Sequence, residues 1–268
     1  VMRVVSIQLL LVSFDFPFRL QSLFLLILAA FGGSPLKAQT IEVRHEGRTY
    51  IDLATAGARF GMKAYWLEGY DTFRLRSKWT NIDVGKRKKI LHINRLPVYL
   101  GFPTLESKGR LYLSKTDYQH VLQSILTPQL FPDPPDLRTI VIDVGHGGKD
   151  SGARNDFYGL REKSLALDIA KRLRALLTQA GYRVILTRES DVYIPLERRP
   201  QIANRANADL FLSIHFNAAT NKAASGLETF ALTPQYQASS KFTKPAPRDS
   251  TRYLGNDQDP WNTLLGYH

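Results

Sequence analysis

Two histidines and one glutamate stand where they could together hold a metal ion. His146 lies in the glycine-rich segment GHGG directly after an apolar run, and His215 ends a second apolar run in the segment SIHFNA. Glu162 comes between them, at the start of a predicted helix. Two imidazoles and one carboxylate form the ligand set of catalytic zinc sites, which leave a fourth position open. Each histidine alone is more often a turn or strand-end residue, so their joint occurrence with Glu162 is what favours a zinc site.

The segments around these residues predict an α/β unit. The expected elements are strands at 139–144, 182–187, 209–214 and 227–232 and helices at 161–180 and 195–206. The first three strands are continuous apolar runs, which indicates burial on both faces of a sheet. Strands that alternate with helices are typical of a largely parallel sheet flanked by helices. Since ligands gather outside the carboxyl ends of such strands, we expect His146 and His215 to meet there.

Four ordered segments between Thr139 and Ala218 carry a family resemblance. They are IDVGHGGKDSGA, GLREKSLALDIAKRL, YRVILTRESDVYIPLERRPQIAN and ADLFLSIHFNA. Together they resemble the zinc-dependent N-acetylmuramoyl-L-alanine amidases of the AmiC-like group. The resemblance implies that His146, Glu162 and His215 are zinc ligands, that the fold is α/β, and that the substrate is peptidoglycan, cut between the muramic acid lactyl group and L-alanine.

The family's general base is a glutamate on a later strand, in a segment that the sequence does not contain before His268. We therefore expect an amidase domain that is incomplete at its C-terminus, with the base beyond His268 and little turnover in the chain as given. The alternative hypothesis is a zinc-containing protein that binds the cell wall with little or no turnover.

Other polar residues near the histidines have weaker interpretations. Asp143 and Lys149 flank the histidine loop and could orient His146 or meet substrate. Asn217 could bind substrate or cap a turn. A structural role for these residues is as compatible with the sequence as a functional one.

Three further charged residues are interpreted as structural. Arg188 and Arg198 match positions in the family's TRESD and LERR stretches, but each is expected to form a structural salt bridge, to Glu189 or Glu197. Glu228 begins the predicted strand at 227–232, and we expect that position to direct it away from the edge of the sheet where the metal binds.

Residues 39–126 predict a separate, small α+β unit that is rich in strands. Short alternating segments separated by Gly47, Gly69, Gly85 and Gly109 indicate strand pairs with tight turns. The segments GRTYIDL, FGMKAYW, KKILHINRLPVYL and GRLYLS resemble the small β-rich domain named after the N-terminal domain of copper amine oxidases. Residues 127–138 contain four prolines and are predicted to be a linker to the amidase unit at 139–268.

Residues 1–38 are predicted to be a signal peptide. The apolar run LQSLFLLILAAF follows Arg19 and precedes small residues up to Ala38. A membrane anchor is the competing interpretation, but a span needs about 20 apolar residues. We therefore expect an exported protein, periplasmic or extracellular and associated with the cell wall, without a stable membrane span.

The composition limits the metal and the partners. The 268 residues include no cysteine, which excludes disulfides and thiolate zinc ligands and leaves histidine and carboxylate ligands. Lysine and arginine total 36 against 24 acidic residues, a net charge of +12 that favours polyanions. In an exported protein these are anionic envelope polymers. Nucleic acid is not an expected partner, because the sequence shows no clear basic groove with interleaved aromatic residues.

Overall fold

The computed structural model describes residues 3–10, 41–131, 136–218, 225–234, 237 and 259–267. The strands are β1 Arg3–Leu10, β2 Glu42–His45, β3 Arg48–Asp52, β4 Lys63–Trp66, β5 Thr72–Arg76, β6 Asn81–Gly85, β7 Ile90–Ile93, β8 Leu96–Tyr99, β9 Leu105–Ser107, β10 Arg110–Ser114, β11 Thr139–Val144, β12 Arg154–Asn155, β13 Leu160–Arg161, β14 Arg183–Leu186, β15 Leu210–Asn217 and β16 Gly226–Ala231. The helices are α1 Leu53–Arg59, α2 Lys115–Asp117, α3 Gln123–Leu126, α4 Glu162–Gln179, α5 Arg198–Arg205 and α6 Asp259–Tyr267, with a π turn at Tyr118–Leu122 and a 3-10 turn at Pro128–Leu130.

The chain is a mixed α/β protein with several sheets, and most of these sheets are antiparallel. The N-terminal unit contains the antiparallel sheets β2-β3-β10-β9 and β4-β5-β6-β7-β8, and β12 and β13 form a short hairpin. One sheet, in the order β14-β11-β15-β1-β16, contains parallel pairs, and its last pair is antiparallel. The prediction of a largely parallel sheet therefore does not describe most of the chain, because short turns join most neighbouring strands as antiparallel hairpins.

Side-chain caps begin the first helical segments of the N-terminal unit. Asp52 caps α1, since its side chain accepts a hydrogen bond from the backbone N–H of Thr55 at 2.9 Å. Ser114 caps the next helical segment in the same way, since its side-chain oxygen accepts a hydrogen bond from the N–H of Asp117 at 3.0 Å. Buried aliphatic residues of both sheets form one core, in which Leu53 and Leu75 are fully buried.

Residues from the C-terminal part of the chain contact this unit. The carboxylate of Asp117 is completely buried and accepts hydrogen bonds at 2.7 Å from both the Gly101 backbone N–H and the Gln237 side-chain amide. Tyr267 of α6 packs against the core of the N-terminal unit. Burial raises the pKa of Asp117 to about 6, because it outweighs the hydrogen bonds from Ser114 and Gly101 that favour the ionised form.

Replacing Asp117 with asparagine is expected to remove a pH-dependent loss of folding stability. The folded-state pKa lies above the ordinary value of 3.8, so the contribution of Asp117 to stability is fully present below about pH 3.8 and is lost as the pH rises through about 6. The free energy of unfolding of the wild type relative to D117N should thus fall by on the order of 2 kcal/mol between about pH 4 and pH 7. Denaturant titrations at both pH values measure this difference, and a constant difference would contradict the assignment.

The first strand lies inside the predicted signal peptide. β1 pairs in parallel with β15 and antiparallel with β16, so its backbone joins the two in one sheet. Its sequence RVVSIQLL is rich in the β-branched and aliphatic residues that favour strands. The rest of the predicted signal from residue 11 onward, and residues 132–135 of the predicted linker, lie outside the described residues. None of the described helices has the length and apolar character that crossing a membrane requires.

Helix α4 places Glu162 over the sheet. Its buried residues, Glu162, Ala166 and Ala170, are spaced by four and therefore lie on one face, which packs against the core containing β11 and β15. Leu165, Ile169, Leu173 and Leu177 also pack there, but Leu176 is 64% exposed. As the first residue of α4, Glu162 lies at the end of this buried face.

Candidate metal centre

Parallel strands β11 and β15 bring the two histidines together. They are neighbours in the sheet, with Val144 of β11 opposite Ile214 of β15. His215 follows Ile214 directly, and His146 lies two residues beyond the end of β11. The sequence-based expectation that both histidines stand at the same edge of the sheet is confirmed.

The three predicted ligands converge in space. Glu162 Oε1 lies 2.9 Å from His146 Nε2 and 3.1 Å from His215 Nδ1, and the two imidazole nitrogens are 3.2 Å apart. The ligand atoms of all three residues lie within 4.8 Å of one another, which makes the group able to hold a metal ion. Glu162 is buried, whereas both imidazoles are partly accessible.

Glu162 is oriented by backbone amides. Its Oε1 accepts a hydrogen bond from the Phe216 N–H, and its Oε2 accepts one from the Ala153 N–H, both at 2.8 Å. Burial alone would raise the pKa of this carboxyl, but the hydrogen bonds from His215, Ala153 and Phe216 and the nearby His146 lower it to about 2. The carboxylate is therefore ionised at neutral pH, as a metal ligand must be.

Asp150 contacts His146 on the side of the ring that faces away from Glu162. The sequence analysis did not identify Asp150. The Asp150 Oδ2 lies 2.9 Å from His146 Nδ1, the ring nitrogen that faces away from Glu162. A proton on Nδ1 leaves the lone pair of Nε2 for a metal, and carboxylates behind ligand histidines commonly fix this tautomer. The four-residue spacing in GHGGKD was the available signal, but many loop aspartates share it.

Backbone conformation lets the loop approach the ligands closely. His146 has φ +58°, a left-handed conformation that costs a residue with a side chain about 1 kcal/mol. At Gly152, φ is +62° and a Cβ atom would lie 2.5 Å from His146 Cδ2 and 2.6 Å from Glu162 Oε2. Glycine is thus needed at position 152 for reasons of both conformation and space.

Replacing Gly152 with alanine is expected to weaken metal binding at least about tenfold, because the new methyl group displaces His146 and Glu162. Gly159 provides a matched control. It has nearly the same φ, +64°, but a Cβ there meets nothing within 4 Å. Competition with a chelator measures the zinc affinity of both variants. Equal affinities for G152A and G159A would show that crowding at the ligands is not important.

A buried ion pair anchors the loop that carries His146. Arg199 Nη1 donates to Asp143 Oδ1 at 2.9 Å, and both side chains are about 5% exposed. Arg199 also donates to the carbonyl oxygens of Val144 and His146, at 2.8 and 3.1 Å. Thr187 Oγ1 and Ser213 Oγ satisfy the remaining acceptors of Asp143. Asp143 therefore does not touch the imidazole of His146, and its role is to fix the backbone through Arg199.

Arg188 has a different role from the predicted one. Its guanidinium is buried and donates to the carbonyl oxygens of Val144, Gly145, Ser190 and Lys163, at 2.7 to 3.2 Å. Glu189 pairs instead with Arg174 at 3.0 Å. The predicted salt bridge between Arg188 and Glu189 is therefore wrong, because adjacent side chains on this loop point in opposite directions.

Glu228 lies near the site edge, contrary to expectation. β16 runs antiparallel to the neighbouring strand, so its first residues lie at the edge where β15 ends. There the Asn217 side-chain amide donates to Glu228 Oε2 at 3.0 Å. The prediction assumed a parallel strand, whose beginning would lie at the opposite edge.

The segment that contains this site is similar to segments of known proteins. Residues 140–259 match the family model described as N-acetylmuramoyl-L-alanine amidase. The match covers less than half of the chain, and it includes all three converging residues and Asp150. Residues 140–259 are therefore similar to amidase domains of this description.

Particular relatives share the same part of the sequence. The chain is 42% identical over 128 residues to N-acetylmuramoyl-L-alanine amidase AmiC of Escherichia coli O6:H1, covering 47% of this chain and 28% of that protein. It is 47% identical over 98 residues to AmiA of Escherichia coli K12, covering 36% of this chain and 33% of that protein. The chain thus spans about a third of the length of these relatives.

A solved structure also matches in sequence. N-acetylmuramoyl-L-alanine amidase AmiC2 of Nostoc punctiforme is 49% identical over 31% of this chain and 46% of that chain, with a TM-score of 0.30.

Proposed function

We propose that residues 139–268 form a zinc-dependent N-acetylmuramoyl-L-alanine amidase unit, which hydrolyses the amide between the lactyl group of N-acetylmuramic acid and L-alanine in peptidoglycan. The observation that carries the proposal is the convergence of His146, Glu162 and His215 inside the segment that matches the amidase family. The names of the relatives support the same bond specificity.

The residues fit zinc by their chemistry. The group offers two imidazole nitrogens and one carboxylate oxygen without sulfur, a set that zinc accepts while keeping a position for water or substrate. Bound zinc would act as a Lewis acid and would lower the pKa of its bound water to about 7. Partial exposure of both imidazoles leaves the site accessible from solvent.

The chain's own residues prepare the site before any substrate arrives. The backbone amides of Ala153 and Phe216 hold both oxygens of Glu162, and Asp150 holds the Nδ1 side of His146. These contacts remove most of the freedom that the ligands would otherwise lose on binding a metal, and such support commonly contributes 10- to 100-fold in metal affinity, as an order of magnitude.

The proposed function also sets the location and the partners. Peptidoglycan lies outside the cytoplasmic membrane, so the proposed function requires that the protein is exported. Peptidoglycan is the principal partner, and the net charge of +12 favours further contact with anionic envelope polymers.

Digestion of purified peptidoglycan tests the proposal. The zinc-loaded protein should release new L-alanine amino termini and muramic acid with a free lactyl carboxylate, both identifiable by mass spectrometry. Cuts between sugars or between stem amino acids would contradict the bond assignment. Sedimentation of the protein with the wall, without new termini, would instead support a zinc-containing wall-binding protein with little turnover.

A further inference from the structure

Glu228 lies at the same level of the sheet as His215, with one strand, β1, between their two strands. In the backbone register, residue 8 of β1 is opposite His215 on one side and Glu228 on the other. Neighbouring strands are about 4.8 Å apart, so the backbones of His215 and Glu228 are separated by about 10 Å.

The side chain of Glu228 is held on the same face as the imidazole of His215. Residues two apart on a strand project to the same face, so Asn217 shares the face of His215. Asn217 donates its amide hydrogen to Glu228 Oε2 at 3.0 Å, which places the carboxylate on that face. Glu228 is exposed and can therefore accept further hydrogen bonds from a ligand.

The opposite flank of the site carries positive charge. Lys149 follows His146 in the loop after β11, and its ammonium lies 4.7 Å from the centre of the Tyr193 ring, in the loop after β14. Because the sheet order is β14-β11-β15-β1-β16, this cation and Glu228 lie on opposite sides of the two histidines. A ligand that spans the site therefore meets a cation at one end and a carboxylate at the other.

The proposed substrate has a matching polarity. Its peptide stem carries carboxylates, whereas its sugar carries hydroxyl groups and an acetamido N–H. A carboxylate repels the anionic stem and accepts hydrogen bonds from the sugar. Building on the proposed amidase function, we propose that Glu228, oriented by Asn217, binds the hydroxyl or acetamido N–H groups of the muramic acid residue, with the peptide stem directed toward Lys149.

Calorimetric binding to zinc-loaded wild type, E228A, E228Q and N217A tests this assignment. The probes are N-acetylmuramoyl-L-alanyl-D-isoglutamine and the same dipeptide without the sugar. E228A should bind the muramoyl ligand about tenfold or more weakly, the effect of losing a hydrogen bond to a charged group, and should bind the free dipeptide like the wild type. E228Q, which keeps the shape, should show a smaller loss. E68A removes an exposed glutamate from the N-terminal unit and should change neither affinity.

The role of Asn217 is tested by a double-variant comparison. If Asn217 acts through Glu228, N217A should weaken binding less than E228A does, and N217A/E228A should bind no more weakly than E228A alone. Zinc content should remain one per chain in each variant, because none of these residues is a proposed ligand.

The results of these titrations distinguish the sugar-binding role of Glu228 from the proposed amidase function. If the wild type binds the muramoyl ligand but E228A binds both probes as the wild type does, or loses affinity for both equally, the sugar assignment is overturned. The sugar assignment would also be overturned if E228A lowered kcat strongly, left binding unchanged and removed the acidic limb of the pH–rate profile. Glu228 would then be a general base. Failure of the wild type to bind the muramoyl ligand overturns the proposed function, and the inference with it.

Discussion

Replacing His215 with alanine is expected to abolish tight zinc binding. The variant keeps only His146 and Glu162 at the centre, and two protein ligands rarely retain zinc. The fall in affinity should exceed about 100-fold, the upper end of what loss of an outer partner of a ligand costs. Metal analysis after dialysis against a weak chelator measures the result, with one zinc expected per wild-type chain and close to none in H215A.

His92 supplies the matched control for this substitution. It is an exposed histidine on β7 of the N-terminal unit, and H92A should retain one zinc per chain. Full zinc occupancy in H215A would refute the ligand assignment, and loss of zinc in H92A would point to a second metal site.

Replacing Arg199 with methionine is expected to destabilise the unit that contains His146 and His215 by about 3 to 5 kcal/mol. The change leaves the Asp143 carboxylate buried without its cation, and removal of one partner from a buried pair typically costs this much. It also releases the carbonyl oxygens of Val144 and His146. Zinc affinity should fall too, because these two carbonyls belong to the loop that carries a ligand.

The adjacent arginine makes the comparison specific. Arg198 is exposed and begins α5, so R198M should change the free energy of unfolding by less than about 0.5 kcal/mol. Denaturant unfolding of both variants gives the difference directly. Equal stabilities of R199M and R198M would mean that the ion pair with Asp143 does not fix the loop.

Much of the site could be predicted because its geometry follows from strand order. The apolar runs before His146 and at His215 identify buried strands, and neighbouring parallel strands end at the same edge. Glu162 was identifiable because a helix that crosses back over the sheet begins at that edge. These inferences need only the period and length of each segment.

Other features depend on contacts between distant residues that local patterns do not encode. Arg188 finds its partners in the carbonyls of three separate segments, and no sequence spacing predicts that arrangement. Glu228 was misplaced because the direction of a strand cannot be read from its own residues. Gln237 lies far along the chain from Asp117, and only the folded structure brings them together.

The fold of the N-terminal unit was only partly predictable for a similar reason. The short alternating segments of this unit predict β2, β3, β5, β7 and β10, but they do not predict β4, β6, β8 and β9. β8 contains Pro97 and its side chains are largely exposed, so it lacks the pattern of a half-buried strand. β1 was excluded from fold reasoning because an apolar N-terminal segment is typical of a signal peptide.

Titration of zinc into metal-free protein, with amide cleavage of purified peptidoglycan as the readout, tests the central claim most directly. Release of L-alanine amino termini should rise in proportion to added zinc and reach its maximum at one zinc per chain, and H215A should release none above background. Cleavage at the same rate in metal-free protein, or in H215A, would contradict the assignment of the reaction to the centre formed by His146, Glu162 and His215.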